Sequence, residues 1–118
     1  MNINHQKHHF VEKPWGSEEW IVNSPKYCGK LLRITKDKST SWHFHKIKDE
    51  VMYVHTGKVK ITHGHDEDIS HFSNKEVILF SGESFHIPTG MIHKITALEE
   101  TELFEFSTEH FDSDSYRI

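Results

Sequence analysis

The spacing His43-x-His45-x4-Glu50-x6-Gly57, completed downstream by Gly82-x5-Pro88-x-Gly90-x2-His93, constrains this chain more than any bulk property. Side chains at i and i+2 leave the same face of an extended strand, because a strand alternates with period 2; a helix would separate them. His43 and His45 are therefore expected to project together. Glu50 opens a run to His55 whose β-branched and aromatic residues suit the next strand, and Gly57 closes it with a tight turn.

Three neutral imidazoles and one carboxylate suit one divalent transition metal: Mn, Fe, Co, Ni or Zn. His43, His45, Glu50 and His93 would leave one or two positions open on a five- or six-coordinate ion. Open positions predict substrate or water binding rather than a structural staple.

Around this pattern the chain reads as short strands. Residues 1–12 form a polar N-terminal arm, and Lys13-Pro14-Trp15-Gly16 punctuates the chain before an edge strand ending in Trp20-Ile21-Val22. Cys28 to Thr35, Ser41 to His45, Lys58 to Thr62, Glu76 to Phe80, Met91 to Ala97 and Thr101 to Phe106 read as further strands. Turn signals recur about every 8–12 residues and no segment keeps a helical period, which predicts a sandwich or barrel. A single domain is expected over residues 13–111, with 112–118 as a polar peripheral tail. His63-Gly64-His65, in an acidic turn-forming run, reads as a solvated hairpin tip rather than a second metal site.

Bulk properties exclude several classes. At 118 residues there is room for one domain. A net charge of −4 with scattered basic residues lacks the footprint of a nucleic-acid binder, and no apolar stretch is long enough to span a membrane. The single Cys28 rules out an internal disulfide and reads as a small buried hydrophobe. With no signal-peptide pattern after Met1, a cytoplasmic protein is the expectation. His5, His8 and His9 are given no role.

The two halves of the histidine pattern resemble the paired motifs of the cupin superfamily over roughly residues 37–97. The resemblance implies an all-β fold, a small antiparallel double-stranded β-helix or jelly-roll barrel, with one metal ion at its mouth. Asp37 and Ala97 stand where the family often has glycine and asparagine; Asp37 can still turn the chain, since aspartate tolerates left-handed geometry. Lys13-Pro14-Trp15-Gly16-Ser17-Glu18 and Tyr27-Cys28-Gly29-Lys30 are similar to the cupin region of type II mannose-6-phosphate isomerases. That resemblance implies a sugar or sugar-phosphate isomerase or epimerase. The alternatives are a metal-dependent dioxygenase or lyase acting on a small organic acid, and a non-catalytic sugar-binding cupin.

Two catalytic candidates lie outside the ligand set. His86, at the turn into the second motif, is a candidate general acid or base at the mouth, since histidine is the side chain whose unperturbed titration lies near neutrality. Lys30 and Arg33 leave opposite faces of their strand, so at most one meets the pocket. Either could hold a phosphate or carboxylate, and we take Lys30 as the candidate. Met91 and Ile95 share the face of His93, and Met52 and Val54 that of Glu50. The exposed edge at Trp20-Ile21-Val22 predicts a homodimer that covers it.

Overall fold

The alternation expected from sequence appears in a computed structural model that describes His5 and residues 7–64 and 74–118. The strands are β1 (His9–Lys13), β2 (Gly16–Asn23), β3 (Cys28–Ile34), β4 (His43–Phe44), β5 (Glu50–Thr56) and β6 (Lys58–Gly64), then β7 (Lys75–Phe80), β8 (Ser84–Ile87), β9 (Ile92–Ala97), β10 (Thr101–Ser107) and β11 (Tyr116–Arg117). They form two antiparallel sheets, ordered β1-β2-β3-β10-β5-β8 and β11-β4-β9-β6-β7. No α-helix occurs among the described residues. The fold is the expected small cupin-type β-barrel.

Parity along β3, β5 and β10 explains why the barrel has one plugged end and one chemical end. Leu32, Leu103 and Val54 are aligned across the three strands and face inward into a core shared with Val59, Ile61, Ile95 and Ala97 of the second sheet. One inward row further along, Lys30 pairs with Glu105; beyond it, Cys28 and Glu50 flank Ser107. The inward surface therefore changes from aliphatic to charged within about two residues of strand. The apolar rows supply the hydrophobic driving force, and the charged rows line a cavity of about 760 Å³.

Several expectations change at the termini. The arm assigned to residues 1–12 contains most of β1, which pairs with β2 from His9 opposite Trp20 to Lys13 opposite Gly16. Strand β2 is thus flanked by β1 and β3 as far as Trp20, where the β1 pairing stops, and Ile21 and Val22 run on beyond it. The supposedly peripheral 112–118 segment contains a 3₁₀ turn, Asp112–Asp114, and strand β11, which pairs with β4. Tyr116 stacks on Phe44 at 5.2 Å between ring centroids. Asp37 has φ of 71°, the left-handed turn anticipated for it. Of the second His-x-His, His63 ends up in β6 while His65 lies outside the described residues.

Candidate metal centre

Cross-strand register builds the site. His43 of β4 lies opposite His93 of β9, and His45 follows directly after the two-residue strand β4. One ligand nitrogen from each of His43, His45 and His93 lies within 4.8 Å of the other two. Each ring is oriented by a main-chain carbonyl: His43 Nδ1–H donates to Ser41 O (2.8 Å), His45 Nδ1–H to Asp114 O (2.9 Å) and His93 Nδ1–H to Met91 O (2.9 Å). Carbonyls only accept, so each ring carries a proton on Nδ1, and in the neutral form of such a ring it is Nε2 that keeps the lone pair.

Burial protects that state. It pushes the His43 pKa down to about 3, assisted by the neighbouring His93, and it lowers that of His45 against the opposing pull of Glu50. Both rings are neutral at physiological pH.

Glu50 flanks this trio rather than joining all of it. Its Oε1 lies 3.3 Å from His93 Nε2 and 4.0 Å from His45 Nε2, while Oε2 lies 3.2 Å from Lys48 Nζ. Burial disfavours the ionised carboxylate, but contact with His93 and the charge of Lys48 outweigh it and hold the pKa below the usual range. Glu50 Oε1 and His93 Nε2 are buried without a hydrogen-bond partner, whereas Oε2 is paired by charge with Lys48. Orphaned buried acceptors are costly. One proton could bridge one such pair, whereas a divalent cation serves several lone pairs together. Nitrogens bound to one ion at about 2.1 Å lie roughly 3–4 Å apart, inside the 4.8 Å that bounds the separations of these three. The donor set therefore fits a metal ion.

Lys48, which sequence reasoning treated as a spacer, organises the wall. Its ammonium donates to Glu105 Oε2 (2.9 Å) and to His110 Nδ1 (3.2 Å) as well as approaching Glu50. Burial alone would lower its pKa, yet Glu105 and Glu50 raise it, so it stays a cation. Its separation of two from Glu50 was the available signal, since residues two apart share a face. His110 Nε2–H in turn donates to Asp112 Oδ1 at 2.9 Å.

The two catalytic candidates part company. Lys30 is 2% exposed and lines the cavity, its Nζ 3.8 Å from Glu18 Oε1 and 4.1 Å above the Trp20 ring centroid. Arg33 faces outward, paired with Glu19 and Glu102. His86 does not line the cavity: it sits opposite Val51 on β5, the outward position next to inward Glu50, and donates to Asp49 Oδ1 on the surface. Register, rather than distance along the chain from His93, decides its side. Met52 and Ile95 face the cavity, whereas Val54 and Met91 pack in the core. Cys28 is buried, and that burial raises its thiol pKa, in keeping with a hydrophobe rather than a nucleophile.

Three imidazoles converge at the mouth of this barrel in a group that could hold a metal ion, and sequence comparison gives the barrel a family. The family model described as "Cupin domain" matches residues 30–106, and the chain belongs to this family. Among solved structures, the capsular polysaccharide assembling protein CapF from Staphylococcus aureus aligns with a TM-score of 0.79 at 21% identity, covering 97% of this chain and 33% of that one. KdgF from Halomonas sp. gives 0.74 at 16% identity, covering 96% and 94%. Oxalate decarboxylase from Bacillus subtilis gives 0.77 at 21% identity, covering 94% and 30%. At such identities the likeness is one of fold, and the chain spans about a third of the CapF and oxalate decarboxylase chains. No curated protein sequence matches significantly. No helix among the described residues is long and apolar enough to cross a membrane.

Proposed function

We propose that the protein is a metal-dependent isomerase or epimerase acting on an open-chain sugar or sugar phosphate. The observation carrying this reading is that Lys30 stands in the wall of the same cavity onto which His43, His45 and His93 open. Held by these histidines with Glu50, a divalent Mn, Fe, Co, Ni or Zn ion supplies a Lewis acid for a carbonyl or hydroxyl oxygen.

The chain's own residues do the remainder. The Lys30 ammonium, buried and only loosely paired with Glu18, binds the phosphate or carboxylate end of the substrate. Lys48 fixes the carboxylates of Glu50 and Glu105 by charge. Moving a proton between adjacent carbons through a cis-enediol needs a base inside the cavity, a place His86 does not occupy. His110 takes that role: it lines the cavity, burial and the nearby Lys30 lower its pKa, and Asp112 holds its Nε2 proton. Nδ1 carries the ring's one lone pair, so accepting the substrate proton there requires Lys48 to release it and keep its N–H bonds to Glu105 and Glu50.

The test is incubation of metal-loaded protein with mannose 6-phosphate, fructose 6-phosphate and free ketoses. Interconversion without oxygen uptake is expected, and Lys30→Met should raise KM for the phosphorylated substrates more than for the free sugars. No interconversion across the panel contradicts the proposal. Oxygen uptake with Fe(II) would point to the dioxygenase reading, and ligand-dependent melting shifts without product to a binding module.

The homodimer is likewise a proposal, with the edge to be covered now β1 rather than β2. A strictly monomeric sedimentation profile contradicts it.

A further inference from the structure

Asp114 is 2% exposed, yet it belongs to a segment, Asp112-Ser113-Asp114-Ser115, whose composition is that of a solvated loop. Its carboxylate reaches back across the chain to the turn joining the ligands His45 and Glu50. The Lys46 N–H donates to Oδ1 (2.9 Å), the Ile47 N–H to both oxygens (3.1 and 3.3 Å) and the Lys48 N–H to Oδ2 (3.0 Å). Three successive amides pointing at one carboxylate form an anion-binding concavity, here filled by the protein itself. The main-chain carbonyl of the same residue accepts the His45 Nδ1–H. Strand β11 then runs beside β4, with Arg117 opposite His43, and the Ile118 N–H donates to Trp42 O.

We infer that Asp114 is a positioning residue for the metal centre and that segment 112–118 and the metal ion stabilise one another, an inference that rests on the metal-binding reading above. Asp114 acts at two places together. Its carbonyl fixes the His45 ring in the tautomer that leaves Nε2 free. Its carboxylate sets the 46–48 turn, which determines where Lys48 stands and how Glu50 enters β5. Losing such an outer contact typically costs about 10- to 100-fold in metal affinity. Coupling of binding free energies is reciprocal, so if the docked segment tightens metal binding, bound metal must shift the segment's opening equilibrium towards the docked state by the same factor.

The decisive variant is Asp114→Asn, which keeps the shape but has one acceptor oxygen where the carboxylate has two. The Lys48 N–H, bonded only to Oδ2, would then face an amide donor. Calorimetric titration of metal-free protein with Zn(II) should show wild-type binding, an affinity about tenfold or more lower in Asp114→Asn, and an affinity within about twofold of wild type in Ser113→Ala, an exposed change in the same turn. The second measurement is independent of how Asp114→Asn folds and uses wild type alone: hydrogen exchange of the 112–118 amides should slow on adding Zn(II). Uptake of Zn(II) with unchanged exchange in that segment, or with unchanged affinity in a folded Asp114→Asn protein, overturns this inference alone. No uptake by wild type overturns the metal reading and this inference with it.

Discussion

Glu50 with His93 and Asp49 with His86 are both histidine–carboxylate pairs, supplied by neighbouring acids and by neighbouring segments of the second motif. The surface pair is the shorter, 2.6 Å against 3.3 Å. It is also the less consequential. Asp49 and His86 side chains are 51% and 57% exposed, whereas those of Glu50 and His93 are 1% and 0% exposed. At the surface one hydrogen bond satisfies both groups and water serves the rest. Inside, His93 already spends its Nδ1 proton on Met91 O, two more imidazoles face the same point, and Lys48 holds the far carboxylate oxygen. A short contact is a hydrogen bond; converging lone pairs without partners are a cation site.

The largest effect that would sharpen this contrast is expected at Lys48. Lys48→Met keeps the aliphatic stem but leaves Glu50 and Glu105 buried without their shared cation, which should destabilise the metal-free protein by about 3–5 kcal/mol in urea unfolding. Next in size is the response to metal. At a hundredfold excess over Kd, Zn(II) should stabilise wild type and His86→Ala alike by about 2.7 kcal/mol, and should leave His93→Ala unmoved in thermal melts. The smallest effect belongs to the surface pair, where Asp49→Ala or His86→Ala should change stability by under about 1 kcal/mol. A tenfold or greater loss of turnover in His86→Ala would break the comparison and return that residue to the site.

Strand parity made part of the central site legible. Alternation puts His43 and His45 on one face, while Glu50 and the Pro88-Gly90-His93 segment are joined to them by the spacing of the two motifs and its resemblance to the cupin pattern. Parity also separated Lys30 from Arg33. His86 stands out in the sequence by its place before the second motif, whereas its side is set by cross-strand register, which puts it opposite Val51, and register is a property of two segments rather than one. Asp114 was hidden for a related reason: its partners are backbone amides of residues 46–48, which no side-chain pattern displays. Strand β1 owes its form to pairing with β2 rather than to its own composition, since Phe10 points to solvent and only Val11 and Lys13 are partly covered. Lys48 was readable as a neighbour of Glu50 on the same face, but its value lies in Glu105, more than fifty residues away in sequence.

The account depends most on three imidazoles converging to hold one metal ion. Titration of metal-free protein with Co(II), followed by its visible absorption, tests that directly. One ion per chain is predicted for wild type and His86→Ala, with uptake abolished in His43→Ala and His93→Ala. Failure of wild type to bind, or undiminished binding in both of those variants, would contradict it.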